Sequence, residues 1–280
     1  MARGAQRPVR VGWSRRRLGA LVAAGGLTVV LVAGVAAGGL FRAVDPGTSP
    51  AAGSGSGSGS GSEDRTTSGP ASVADPQTIR DELSNRPMAS VNASAARPGP
   101  VSTLDPGPAI VLPAPTVMGP ASVPTGFPAT PEGALAQLAA INQVAFQSGS
   151  LSGAREVIRA WASPGGPTTT SWSVVHAMAE LFDRAGVSGG GSARLAIVLT
   201  PLMGLIKGTV GTDFVVPCVD FELDVTLDQT ARGAVADCQR MVWSTDRWLI
   251  GPGTEPAQPP SVWPDTDLAI SVGYRDLDRG

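Results

Sequence analysis

The 280-residue sequence predicts an α+β fold: helices packed on one face of a curved antiparallel sheet, behind a single N-terminal membrane helix and a long linker. Three observations predict it. An arginine-rich start leads into a long uncharged apolar run. A Gly/Ser/Pro-rich stretch without core-forming residues follows. The remaining residues then change once from helical to strand periodicity, the mark of a segregated α+β layer.

Residues 1–17 form a basic tail with Arg3, Arg7, Arg10, Arg15, Arg16 and Arg17 and no acid. Residues 18–41 are uncharged and apolar; as a helix this run would be about 36 Å long, against a bilayer core of about 30 Å. Retention of basic residues on the inner side predicts a single-pass cell-membrane protein with a cytoplasmic N-terminus and an extracellular C-terminal domain. A cleaved signal remains an alternative, although its apolar core would be shorter and followed by a clean small-x-small site. Gly34 and Gly38 form a G-x-x-x-G pair that would let two helices of a homo-oligomer approach closely, although general Ala/Gly richness of the run is the simpler reading.

Residues 42–128 read as a disordered linker, with Gly-Ser alternation over 53–62 and then repeated prolines. Some 80 flexible residues span on the order of 50 Å root-mean-square. Asp75 before Pro76 is a good helix start, so a short helix is expected at 76–85. Ile79, Leu83 and Met88 make this island either a transient helix or a docking peptide for a partner.

The exported domain is expected over 129–255. Thr130-Pro131-Glu132 opens a helix carrying Leu135, Leu138, Ile141, Ala145 and Phe146 at helical spacing. Ser152 is the expected cap of a second, with Ala154, Val157, Ile158 and Trp161 on one face. A third runs over 171–185 on Trp172, Val175, Ala179 and Phe182, and stops at Gly186. Strands follow at 195–200, 205–210, 214–227, 234–243 and 247–250, with turns at 228–233 and 244–246. Residues 256–280 close the chain as a tail, as a short helix or an edge cover.

Folding the strands about Asp228 puts Cys218 opposite Cys238 on one face, within bridging range for antiparallel neighbours. A disulfide there would contribute about 3 kcal/mol; a redox pair or two free thiols are the alternatives, and no C-x-x-C is present. Asp220, Glu222 and Asp224 alternate on the face opposite Phe221, Leu223 and Val225; such carboxylates can serve as acid and base or bind a hard cation, but the pattern is that of a solvated strand face with Arg240 as a neutralising neighbour. His176 stands alone on the third helix. Trp243 and Trp248 flank the last turn, as sheet packing or as an aromatic patch for a partner.

Beyond the basic tail, 15 basic residues face 23 acidic ones, a balance near −8. Without a basic stripe, direct nucleic-acid binding is not expected. No G-x-S-x-G, P-loop, dinucleotide glycine pattern or H-E-x-x-H occurs. No catalytic, cofactor or metal residue is therefore assigned, and a non-enzymatic role is expected.

This order of parts, with Thr130-Pro131-Glu132-Gly133-Ala134-Leu135 opening the domain and Val242-Trp243 and Trp248 in the last hairpin, resembles the bitopic assembly factors of conjugation and type IV secretion systems, in their actinobacterial style. The likeness covers roughly residues 14–43 and 128–255. It implies a nuclear transport factor 2-like cone and a membrane-anchored scaffold that binds envelope or transfer-apparatus proteins. A lipid or small-ligand module associated with a transporter is the alternative. The long linker and the cysteine pair depart from the resemblance.

Overall fold

The computed structural model describes residues 75–279. The basic tail, the membrane helix with its glycine pair, and the linker at 42–74 lie outside the described residues. Among the described residues no helix is long and apolar enough to cross a membrane.

The observed fold is α+β, with helices packed on a curved half-barrel sheet. Its N-terminal part comprises α1 (Pro76–Asn85), a 3₁₀ turn (Ala93–Ala96), β1 (Ile110–Leu112) and a small β2–β3 ladder (Val117–Met118, Pro124–Thr125). Three helices follow: α2 (Pro131–Gln147), α3 (Leu151–Trp161) and α4 (Ser173–Ala185). Then come β4 (Ala196–Val210), β5 (Phe214–Thr226), β6 (Thr230–Cys238), β7 (Met241–Ser244), β8 (Arg247–Ile250), α5 (Asp267–Ser271) and β9 (Arg275–Arg279).

The opening of α2 behaves as its sequence predicts. Thr130 Oγ1 accepts the Gly133 N–H at 3.1 Å and Pro131 occupies the first turn. Gly133 is required for another reason: a Cβ there would come within 2.0 Å of the Pro128 carbonyl oxygen. That same carbonyl accepts the Trp248 Nε1–H at 2.9 Å, tying the start of the helix to β8. Small alanines let α2 lie deep against the sheet, and Leu135, Leu138 and Ile141 are fully buried. Ser150, not Ser152, caps α3, because its hydroxyl faces the Gly153 N–H at 3.1 Å. Gly186 ends α4 in the left-handed conformation, with φ 64°.

The sheet runs β1-β9-β4-β5-β7-β8, and β6 also pairs with β5. The two strands expected at 195–200 and 205–210 are one strand, β4. Register shifts between Pro201 and Met203 and between Ile206 and Gly208 bend it rather than end it. The expected strand at 234–243 is instead split at Gln239-Arg240 into β6 and β7, which pair with successive parts of β5. The closing segment supplies both a helix and an edge strand, α5 and β9. The sheet is antiparallel except at this edge, where β9 pairs with β1 in parallel.

The register about Asp228 is as read, with Cys218 opposite Cys238 and Thr226 opposite Thr230. Alternation along β5 then separates the large core under the helices from two smaller clusters on the other face. Val215, Val219, Phe221, Leu223 and Val225 join the helix-side core, whereas Cys218 belongs to a smaller one with Cys238, Met203, Val262, Ala269 and Tyr274.

The expected linker boundary is corrected: residues 75–128 are part of the folded structure, with Ile110, Leu112, Val123 and Phe127 in the helix-side core and α1 seated on a third, small cluster. Leu83 packs with Phe214 and Val216 on β5. Gly208 makes room for it, since a Cβ there would lie 2.7 Å from Leu83 Cδ1. Arg80 grips Asp213 through both carboxylate oxygens at 2.9 and 2.8 Å, and Asp81 pairs with Arg240 at 2.7 Å. The guanidinium groups of Arg80 and Arg240 both lie over the Phe214 ring. Lys207 Nζ and the Ala257 N–H donate to the Ser84 carbonyl. Isolated apolar residues and long-range charge pairs hold this segment, so it carries no periodic signal of its own.

Leu83→Ala should therefore cost about 2–4 kcal/mol of global stability in denaturant unfolding, as for a core leucine. A residue on a disordered linker would change it by less than about 0.5 kcal/mol.

Candidate binding cavity

Acids at two positions of the fold meet where burial normally calls for apolar side chains. The register of β5 with β6 sets Asp237 opposite Val219, on the helix side of the sheet. Glu255 arrives from the segment after β8. Around them lies a cavity of about 710 Å³. Its floor is Phe221 on β5 and residues 234–238 on β6; Asn142 and Phe146 of α2 and His176 and Ala177 of α4 form the wall. Residues 88–93 and 258–261 cross its rim.

The two carboxylates are held by a short network. Gln239 Nε2 donates to Asp237 Oδ1 at 3.0 Å and to Glu255 Oε1 at 3.3 Å, so one amide nitrogen bridges both acids. Asn142 Nδ2 donates to Asp237 Oδ2 at 2.9 Å. Glu255 also accepts the Ser173 N–H at 3.2 Å and the Ser173 hydroxyl at 3.2 Å. It thereby caps the start of α4, where Trp172 has no capping oxygen of its own.

Burial dominates the electrostatics. It pushes the Asp237 carboxyl up to about 7, with the Glu255 charge adding to it and the Asn142 and Gln239 donors opposing. Asp237 lies deep in the protein yet is only half-buried, because it opens onto the cavity. Burial also raises Glu255, against the Ser173 and Gln239 donors and the charge of His176. Such a pair can accept hydrogen bonds from a donor-rich group, neutralise a cation or take up a proton near neutrality.

Cys218 and Cys238 form the disulfide, with Cα atoms 4.1 Å apart, behind the cavity floor. Trp248 is buried and bonded to Pro128, and Trp243 meets it edge-on at 5.3 Å, so Trp248 contributes no exposed aromatic patch. Of the island residues, Leu83 is buried in the chain's own fold, Met88 packs on the disulfide layer, and Ile79 stays 39% exposed. His176 is exposed in the outer part of the cavity wall.

The acidic face of β5 departs from expectation. Glu222 and Asp224 pair with Arg232, not Arg240, whereas Asp220 is fully buried beneath the tail. Burial pushes Asp220 well above the usual carboxylate range, and the Val262 N–H offsets only part of this. Among the described residues no cluster of three His, Cys, Asp or Glu could hold a metal ion.

Neither Asp237 nor Glu255 was singled out from sequence. For Asp237 a signal was present: the register that aligns the cysteines puts residue 237 inward. Glu255 sits between turn residues and carries no such sign. No protein-family model, curated protein or solved structure matches the chain. The geometry by itself defines an α+β domain with an acid-bearing cavity beside a sheet-edge strand.

A carboxyl with a raised folded-state pKa binds its proton more tightly when folded. Its stabilising effect is full below the unfolded value, near 4, and is lost as pH rises through the folded one. For Asp237 that window runs from about 4 to about 7. The melting temperature should fall by several degrees between pH 5 and 8, and Asp237→Asn and Asp220→Asn should each lessen the fall. A melting temperature that rises over this range would place these acids in water.

Proposed function

We propose that this chain is a non-enzymatic, membrane-anchored scaffold whose exported domain binds envelope partners in a conjugation or secretion apparatus. The basic tail and the apolar segment at 18–41 supply the anchor, with the domain on the extracellular side. The observation that carries this reading is the Cys218–Cys238 disulfide, which ties the edge strand β6 to the central strand β5. Bridges of this kind persist in oxidising compartments, in keeping with a domain held outside the membrane. The order of helices and curved sheet is that expected of a nuclear transport factor 2-like cone, and we read the fold as a member of that class.

The cavity favours a second reading, a lipid or small-ligand module of a transporter. Its volume of about 710 Å³ falls in the range of small-molecule sites. The two readings separate in the cell. For a scaffold, deleting the gene should lower transfer of the mobile element that carries it by orders of magnitude. The full chain should restore transfer, and a secreted form lacking residues 1–43 should not. His176→Ala and Glu222→Gln should restore it as well as the native chain. Undiminished transfer in the deletion strain would overturn the scaffold reading, and loss of function in either variant would point to an enzyme.

A further inference from the structure

We propose that the cavity is a receptor for a cationic nitrogen group, an aliphatic guanidinium or ammonium, seated between Asp237 and Glu255. The proposal deepens the reading of the exported domain as a binding module and rests on it.

The charge of the lining points to a cation. Asp237, Glu255 and Glu180 all line the cavity, and among the described residues no Lys or Arg does. Glu180 lies at the outer wall on α4, paired with Arg184. Asp237 and Glu255 face the space without a Lys or Arg partner, bridged by neutral Gln239, and the exposed His176 is the only basic side chain among the described lining residues. Taking two carboxylates out of water with neutral donors alone is costly, and an arriving cation would relieve that cost.

Unpartnered acceptors give a second, independent indication. Asn142 and Gln239 are each 1% exposed. Each turns its amide nitrogen to Asp237, as an ionised acid requires, which directs the carbonyl end away. Asn142 Oδ1 and Gln239 Oε1 are left buried with no hydrogen bond, and Asn142 lines the cavity. Buried acceptors without donors are rare in native proteins. The site is thus rich in acceptors and short of donors. A guanidinium, with five N–H donors in a planar fork, is the complementary group, and an ammonium supplies three.

The walls suit the aliphatic stem such a group carries. Phe146, Val174, Ala177, Phe221 and Val235 provide apolar surface beside the acids. Two sources share this chemistry: an arginine or lysine side chain of a partner protein, and a free small amine.

The test is isothermal titration of the full chain in detergent micelles with butylguanidinium, its neutral isostere butylurea, putrescine, and the end-blocked tripeptide Gly-Arg-Gly. Butylguanidinium should bind at least about tenfold more tightly than butylurea, as a charge-assisted pair requires. Asp237→Asn should abolish that preference, and Asp224→Asn, an equal charge change on the far face of the sheet, should leave it intact. Because Glu255 also caps α4, Ala177→Phe serves as the second cavity variant and should block all four probes. A tripeptide tighter than butylguanidinium would identify a partner's side chain as the source; putrescine or butylguanidinium tighter than the tripeptide would identify a free amine. Equal binding of butylurea, binding unchanged by Asp237→Asn, or no cation binding at millimolar concentration would each overturn the proposal. Transfer assays are independent of these titrations, so the scaffold reading and the cation site can fail separately.

Discussion

The structure depends on the register of one strand. β5 pairs with β4 along one edge and with β6 and β7 in succession along the other. Because side chains alternate with a period of two, a slip of one residue would exchange its two faces. In the observed register Val219, Phe221 and Leu223 meet the helices, Cys218 clusters with Met88, Val91, Val262 and Tyr274, and Asp220 is buried near Val262. The Cys218–Cys238 bridge fixes that register covalently. It also directs the residue before Cys238 to the helix side, where an acid has to be accommodated.

The rest of the site follows from that placement. An inward carboxyl on an edge strand cannot be buried alone without a large desolvation cost. Asn142 from the Ala-rich α2 and Gln239 at the β6–β7 break supply donors. Glu255 joins the network because it is already engaged in capping α4. The result is a cavity that is apolar over much of its wall and acidic at one point. Under the binding role proposed above, such a site would select its ligand by charge.

Much of the helical and strand plan was legible in the sequence, for identifiable reasons. Thr130-Pro131 announces α2, Gly186 ends α4, and the cysteine spacing about Asp228 gives the β5–β6 register. The errors also have causes. Pro201, beside a bulge, looked like a strand end, while Gln239-Arg240 looked continuous. The docking of α1 was invisible because it rests on Arg80 with Asp213, Arg240 with Asp81, and one leucine against a glycine. None of these contacts is local in sequence. Asp237 was within reach of the reading that paired the cysteines; Glu255 required the path of the chain after β8.

The central claim is that the register turns Asp237 into a buried cavity beside a second acid. Carbon-13 carboxyl titration of Asp237 by NMR tests it most directly. A midpoint close to the value of about 7 set by burial and Glu255 is the predicted result. A midpoint in the ordinary aspartate range near 4 would place the side chain in water and contradict the account.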